Sequence, residues 1–239
     1  MATTFTYSNE SGRPTGPFLR TMGRIFPGVR EVQAQIAPYA TAWQRDNAEA
    51  LRQAGPLWIA IGDSMTQGIG ASSHRRGYVG QLSTTLAEHG WAHRLVNLSY
   101  NGARVQDVLE RQLPALEQIT REQGAAALVT VIIGSNDIVL GSHRDQLLDR
   151  FTQMLERLPQ GSVVANLPNP RREAVAIDAT LRGADASGDL VLADLRRDGA
   201  KSWRGRLAPD MFHPNDRGYA EMAASFERTL TRAGLPRSP

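Results

Sequence analysis

The sequence predicts an α/β fold of three layers, in which helices cover both faces of a mainly parallel five-stranded sheet. Short apolar runs alternate with amphipathic segments from residue 57 onward, and the runs are apolar at successive positions. Strands of this kind are buried on both faces, which is typical of parallel sheets between two layers of helices. The chain has 239 residues, of which 41% are hydrophobic and 21% charged, and this suffices for one sizeable core.

Five strands and five helices follow from this alternation. The strands are predicted at residues 57–61, 94–98, 126–133, 162–166 and 190–193. The helices are predicted at residues 76–89, 104–122, 143–158, 171–183 and 216–233. Ligands of such folds bind beyond the carboxyl ends of the strands, so the residues that follow each strand are the candidates for function.

Residues 1–55 stand outside this alternation and are predicted to form an N-terminal arm and helical extension to a main domain at 56–235. Residues 1–30 are rich in Gly, Pro, Ser and Thr, which favours an extended or partly disordered arm. Between Glu31 and Ala54 apolar residues recur at helical spacing, and Pro38 predicts a break or kink in the middle. We expect a helical pair packed on the main domain; a partner-binding module, a lid or a contact between copies in a homo-oligomer is the alternative.

Composition excludes several classes of function. The chain has no cysteine, so disulfides, thiolate nucleophiles and thiolate zinc sites are excluded. Its net charge is +3, Lys201 is the only lysine, and the arginines are scattered among acidic residues, so no nucleic-acid partner is expected. The N-terminal residues lack the apolar core of a signal peptide, and no apolar run approaches the roughly 20 residues of a transmembrane helix. A cytoplasmic protein is predicted, unless a leader has been removed.

The first candidate for chemistry is the turn Gly62-Asp63-Ser64, which follows the first predicted strand. A serine at a strand-to-helix turn presents its hydroxyl above the sheet, with its own N–H at the helix N-terminus. The tripeptide is also ordinary turn and N-cap chemistry, so by itself it is a weak signal. The G-x-S-x-G elbow fails because Thr66 replaces the second glycine, and the dinucleotide fingerprint fails because Ser73 replaces the third.

The next two strands are followed by groups that can donate hydrogen bonds. Gly102 lies in the turn after the second strand, where a glycine lets the backbone approach a ligand closely. Asn136 and Asp137 lie in the turn after the third strand, and the Asn136 amide is a neutral donor. Either turn, taken singly, is explained by turn chemistry; the conjunction with Ser64 points to a site.

A carboxylate precedes a histidine near the start of the last helix. The spacing from Asp210 to His213 allows the carboxylate to reach the imidazole Nδ1 while Nε2 faces outward. The remaining histidines have no comparable partner and are interpreted as structural; they are His74, His89, His93 and His143.

In their order along the chain, these blocks resemble those of the SGNH (GDSL-type) hydrolases, over about residues 57 to 232. The matching blocks are Gly62-Asp63-Ser64, Gly102, Gly134-x-Asn136-Asp137 and Asp210-x-x-His213-Pro214. Met65 replaces the leucine common after the serine, and the first 55 residues lie outside the family pattern. The resemblance implies a flavodoxin-like sheet and hydrolysis of acyl esters, with no metal or organic cofactor.

The resemblance also assigns roles. It implies that Ser64 is the nucleophile, His213 the base and Asp210 the acid that orients it. The N–H groups of Ser64 and Gly102 and the Asn136 side chain would form the oxyanion hole. Two carboxylates, Asp63 and Asp137, are interpreted as braces of the turns, and two further residues, Trp203 and Arg204, as walls of the substrate site.

The substrate is expected to be a small-molecule, lipid or carbohydrate acyl ester, with short to medium acyl chains favoured. The motifs do not choose among esterase, thioesterase, lysophospholipase and carbohydrate O-deacetylase. An acyltransferase that uses the same groups is a further alternative. A non-catalytic lipid- or sugar-binding module is disfavoured, because none of the catalytic residues is missing.

Overall fold

A computed structural model of the chain, which describes residues 5–13, 17–139 and 144–236, confirms the α/β fold with its parallel sheet. The strands are β1 (Leu57–Gly62), β2 (Arg94–Asn97), β3 (Leu128–Ile132), β4 (Ser162–Ala165) and β5 (Leu190–Ala193). They form one five-stranded sheet in the order β2-β1-β3-β4-β5, and every neighbouring pair is parallel. Every residue of β1 and β3 is buried, which explains their continuous apolar sequences.

The five helices predicted after residue 57 lie close to their predicted bounds, and the chain forms further helices that were not predicted. The helices that precede β3 in the chain are α1 (Pro17–Ile25), α2 (Pro27–Gln33), α3 (Ile36–Arg52), α4 (Ser64–Gln67), α5 (Tyr78–Glu88), α6 (Val105–Asp107) and α7 (Leu113–Gln123). Those that follow are α8 (Ser135–Val139), α9 (Leu147–Arg157), α10 (Arg172–Ser187), α11 (Leu195–Asp198) and α12 (Asp216–Ala233). A π-helical turn, Val108–Gln112, joins α6 to α7. The predicted start of α9 at residue 143 lies outside the described residues.

The prediction of an extended arm over residues 1–30 is wrong in its second half. Residues 5–13 lack regular structure, but α1 and α2 occupy Pro17–Ile25 and Pro27–Gln33. A proline stands at the first position of each of these helices, where its missing N–H would have no intrahelical partner. These prolines therefore begin helices, although the sequence analysis took them as signs of a loop.

The predicted break at Pro38 is also absent. Pro38 is the third residue of α3, and the first four N–H groups of a helix have no intrahelical acceptor in any case. The proline ring therefore removes no hydrogen bond from α3, and the helix continues to Arg52.

The N-terminal residues contribute to the packing of the sheet. Trp43 of α3 is fully buried in the same core as β1. Asn47 of α3 donates to the carbonyl oxygen of Asn97 at 2.8 Å, and its own Oδ1 accepts from the Asn97 N–H at 2.7 Å. Because β2 is an edge strand, these bonds satisfy backbone groups that would otherwise lack partners. That residue 55 separates two domains stays a prediction.

None of the helices that the described residues form is both long enough and apolar enough to cross a membrane.

Candidate active site

Ser64 is held at a sharp turn between β1 and α4. Gly62 ends β1, and a side chain there would overlap with Thr66 Oγ1 and with the carbonyl oxygen of Ile132, so only glycine fits. Asp63 caps α4 by accepting a hydrogen bond from the N–H of Met65 at 3.0 Å. The turn places the Ser64 hydroxyl at the carboxyl edge of the sheet, with the residue 5% exposed.

His213 joins Ser64 to Asp210. Its Nε2 lies 2.9 Å from Ser64 Oγ and its Nδ1 lies 2.6 Å from Asp210 Oδ2. The other carboxylate oxygen of Asp210 accepts from the backbone N–H groups of Phe212 and His213, at 3.1 and 3.0 Å. A hydroxyl, an imidazole and a carboxylate therefore form one continuous chain of hydrogen bonds.

The environment of Asp210 favours its charged form. Burial acts against the charge, but hydrogen bonds from the His213 ring and from the backbone N–H groups outweigh it and hold the pKa of Asp210 below its ordinary value. A charged Asp210 accepts a hydrogen bond from the N–H at His213 Nδ1. The proton of the neutral imidazole is thereby held on Nδ1, and Nε2 is free to accept the Ser64 hydroxyl proton.

The turns that carry Gly102 and Asn136 flank Ser64, because β1 lies between β2 and β3 in the sheet. Gly102 has a φ of 76°, and no atom lies within 4 Å of the position that its Cβ would occupy. The Asn136 Nδ2 donates to the carbonyl oxygen of Ala103 at 2.9 Å, which ties the two turns together. An amide nitrogen carries two hydrogens, so Asn136 retains one further donor.

Asp63 and Asp137 brace these turns from below. Burial, with mutual repulsion as a lesser contribution, raises the pKa of Asp63 to about 7. Burial likewise raises the pKa of Asp137 to about 6, and its Oδ2 accepts from the N–H of Val105 at 3.1 Å, where α6 begins. Both side chains are fully buried, so neither offers a solvated charge to a ligand.

Residues 60–221 match the family model of the GDSL-like lipase/acylhydrolase family. The chain belongs to this family. It is therefore a carboxylic ester hydrolase, as the strand-end residues predicted.

Relatives of this hydrolase have the same fold. It is 28% identical to Esterase TesA of Pseudomonas aeruginosa over 163 residues, which cover 65% of this chain and 78% of TesA. A crystal structure of TesA superposes with a TM-score of 0.60 at 22% identity, covering 74% of this chain and 98% of that one. A lipase/acylhydrolase from Enterococcus faecalis superposes with a TM-score of 0.58 at 17% identity, covering 77% and 100%.

Trp203 and Arg204 are not joined to the triad. Trp203 packs beside Gly218 of α12, and Arg204 lines a cavity of about 340 Å³ with residues of the same helix. Within the described part of the hydrolase, no hydrogen bond, ion pair or ring contact links either side chain to Ser64 or His213. Their place in the substrate site stays a prediction.

Two apolar residues beside His213 were not predicted from the sequence to belong to the site. Met211 is 74% exposed and Phe212 is 55% exposed. The Phe212 ring meets the His213 ring edge-on, with centroids 4.9 Å apart. Met211 has a φ of 58°, a left-handed conformation that costs a residue other than glycine about 1–2 kcal/mol. The signal was present in the sequence, since both stand between the acid and the histidine of the last block.

His74 has a carboxylate partner that its sequence neighbourhood did not predict. Its Nε2 lies 2.9 Å from Oδ2 of Asp46 in α3, and its ring contacts Trp43 edge-on. The interpretation of His143 falls outside the described residues.

A larger cavity lies away from the triad. It has a volume of about 1000 Å³, and its lining includes Arg182, Arg197 and Arg232. Each of these arginines is already paired with an aspartate, at 2.8 to 3.0 Å. Ser64, Asp210 and His213 do not line this cavity, so it is not a candidate for the site of ester hydrolysis.

Proposed function

We propose that this hydrolase cleaves acyl esters through Ser64, His213 and Asp210, with the N–H groups of Ser64 and Gly102 and the Asn136 amide as the oxyanion hole. The observation that carries the proposal is the pair of distances at His213, 2.9 Å to the hydroxyl and 2.6 Å to the carboxylate. Both are hydrogen-bond distances, and the first is short enough for direct proton transfer from Ser64 to His213.

The first half of the reaction forms an acyl-enzyme. Ser64 Oγ attacks the ester carbonyl carbon while its proton passes to His213 Nε2. The tetrahedral intermediate collapses, the bond to the alcohol breaks, and the leaving oxygen takes the proton from Nε2. Asp210 stabilises the imidazolium that forms between these two steps.

The second half releases the acid. His213 Nε2 removes a proton from water, and the resulting hydroxide attacks the acyl carbon. Collapse returns the proton to Ser64 Oγ and frees the carboxylic acid. In both halves the oxyanion accepts hydrogen bonds from the three donors, each of which is worth about 2.7–4 kcal/mol in enzymes of this type.

The substrate that we propose is a short- to medium-chain acyl ester. Met211 and Phe212 support this, because they expose apolar surface directly beside His213. Thioesters, lysophospholipids and O-acetylated carbohydrates would react with the same three groups, as would an acceptor alcohol in acyl transfer. Trp203 and Arg204 remain candidate walls of this site. The cytoplasmic location, the lack of a nucleic-acid partner and an oligomer through the N-terminal residues also remain predictions.

The deciding experiment is hydrolysis of a nitrophenyl ester series from acetate to palmitate by the wild type and by Ser64→Ala. Turnover that falls by several orders of magnitude in the variant supports Ser64 as the nucleophile, and the best chain length identifies the preferred acyl group. Ser83→Ala is a matched control, because Ser83 Oγ also lies 2.9 Å from a histidine Nε2, that of His93. Equal activity of Ser64→Ala and wild type would overturn the proposal.

A further inference from the structure

The loop after α4 follows Ser64 in the chain and also contacts His213. It begins at Gly68, four residues after Ser64, and its backbone packs against His213 at Gly70. A Cβ on Gly70 would stand 2.7 Å from the His213 Cβ and 2.5 Å from the carbonyl oxygen of Pro214. Real Cβ atoms do not approach so closely, so the Gly70 backbone is packed against the residue that carries the imidazole.

The other side of this loop is held by side chains from the N-terminal helices. Gln35 accepts a hydrogen bond from the N–H of Gly70 at 2.7 Å and donates one to the carbonyl oxygen of Ala71 at 3.1 Å. The Tyr39 hydroxyl donates to the same Ala71 oxygen at 2.7 Å. Gln35 therefore binds the N–H of Gly70 and the carbonyl oxygen of Ala71, which lie on either side of the peptide bond between these two residues.

The loop is anchored at its beginning as well. The Trp43 indole N–H donates to the carbonyl oxygen of Gln67 at 2.9 Å. From the side of α12, the Tyr219 hydroxyl donates to the carbonyl oxygen of Ile69 at 2.6 Å. The loop thus has polar partners on both sides along its length.

Apolar contacts bring the same N-terminal helices to the segment that carries Asp210. Val32, Ile69 and Ala208 form a small buried cluster, against which Ile36 and Tyr39 pack. The Ala208 N–H donates to the His213 carbonyl oxygen at 2.8 Å. The N-terminal helices therefore contact both the loop that packs against His213 and the backbone that precedes Asp210 in the chain.

We propose that Gln35 is a positioning residue, which holds the Gly70–Ala71 peptide against His213 and thereby sets the place of Nε2 relative to Ser64. The inference rests on the proposed function. Gln35 lies before residue 60, where the match to the family begins. The N-terminal extension is in this view a part of the catalytic apparatus, acting through the backbone of another segment.

The expected effect follows from the geometry of proton transfer. A hydrogen bond between Ser64 and His213 must stay within about 2.6–3.2 Å to be productive, and a misplacement of about 1 Å costs roughly 100-fold in rate. Gln35 does not contact the triad directly. We therefore expect its loss to lower kcat roughly 10- to 100-fold and to leave KM within about twofold.

The test compares Gln35→Met with Gln44→Met. Methionine keeps the length of the side chain and removes both hydrogen bonds. Gln44 is a matched control, since it belongs to α3 and is half-buried like Gln35, and among the described residues its side chain hydrogen-bonds only to Ser8 Oγ, at 3.3 Å. Gln35→Glu, which keeps the acceptor for the Gly70 N–H and removes the donor to the Ala71 oxygen, is a third variant that tests the same residue should Gln35→Met fail to fold. kcat, KM and the folded fraction are measured for each with a nitrophenyl ester.

A second arm asks whether the effect passes through His213. In a His213→Ala background, removal of Gln35 should change the residual kcat little, because the group that it positions is gone. A general loss of structure would lower kcat in both backgrounds by the same factor.

The outcomes separate this inference from the proposed function. A kcat loss in folded Gln35→Met that is absent in Gln44→Met, and that vanishes without His213, supports the inference. Wild-type kcat in Gln35→Met, or in Gln35→Glu if the former does not fold, overturns it, as does an equal loss in the Gln44 control. Both of these results leave the triad intact as long as Ser64→Ala is inactive; an active Ser64→Ala overturns the proposed function itself.

Discussion

Gly70 and His213 are in direct contact, because a single Cβ added to Gly70 would stand 2.7 Å from the Cβ of His213. Gly70 lies near the beginning of the region that matches the family, in the loop after α4, and His213 lies near its end, just before α12. Their contact fixes how far the imidazole can retreat from Ser64, so the identity of residue 70 matters for the reaction as well as for the fold.

We expect Gly70→Ala to abolish most of the esterase activity. The added methyl group would push His213 from its place, and a displacement of about 1 Å costs roughly 100-fold in kcat. Gly90→Ala is the matched control, because Gly90 has a similar φ, 85° against 96°, but its Cβ would meet nothing within 4 Å. Both variants carry the backbone strain of a left-handed alanine; equal kcat in the two would contradict the role of the contact.

We expect Asp210→Asn to lower kcat by about 10³–10⁴-fold. An asparagine amide can donate a hydrogen bond to Nδ1, which stabilises the wrong tautomer of His213, with its proton on Nε2. Steady-state kinetics on nitrophenyl acetate measure the loss. Asp149→Asn, an exposed position on α9, serves as the control and should keep wild-type activity. A loss of less than tenfold in Asp210→Asn would show that this carboxylate does not orient the base.

The contribution of Asp63 to the stability of the protein should fall as pH rises from about 4 to about 7. The pKa of Asp63 is raised from 3.8 to about 7 in the folded protein, so in this range the folded state binds a proton that the unfolded state has lost. Stability falls with pH wherever the folded state binds more protons. The pKa of Asp137, raised to about 6, acts in the same direction up to that pH.

Asp63→Asn tests this dependence. Asparagine is neutral at every pH and its oxygen retains the cap on the Met65 N–H. Urea unfolding at pH 4, 5, 6 and 7 measures the free energy of unfolding of both proteins. We expect the variant to become progressively more stable relative to the wild type toward pH 7. A difference that stays constant across this range would mean that Asp63 is charged in the folded protein.

Phe212→Ala should shift the preference of the enzyme toward short acyl chains. An acyl chain that lies on the exposed Phe212 ring gains about 0.8 kcal/mol for each methylene removed from water. If two methylenes lose that contact, kcat/KM for the octanoate ester falls by roughly tenfold, while that for acetate changes little. Val175→Ala removes an apolar side chain of comparable exposure on α10 and should change neither value. An equal loss of kcat/KM on all esters would instead mean that the Phe212 ring holds the His213 ring in position.

The sequence was sufficient for the sheet and for the local pairing within the proposed triad. The five strands lie where continuous apolar runs predict them, because a strand buried on both faces must be apolar throughout. Asp210 and His213 are three residues apart, so their contact is a local property of the chain. The cap of the turn at Ser64 is equally local, since Asp63 accepts from the N–H of Met65, two residues along the chain.

Contacts between distant segments were decided only by the tertiary structure. Ser64 and His213 are 149 residues apart, and 35 residues separate Gln35 from Gly70. Composition favoured a loose arm where α1 and α2 form, and a kink at Pro38 that α3 does not have, because a proline at the start of a helix has the same composition as one in a loop. Periodicity reports which face of an element is buried but not what it is buried against. The partners of Gln35 and the contact behind His213 therefore became visible only when the packed chain brought them together.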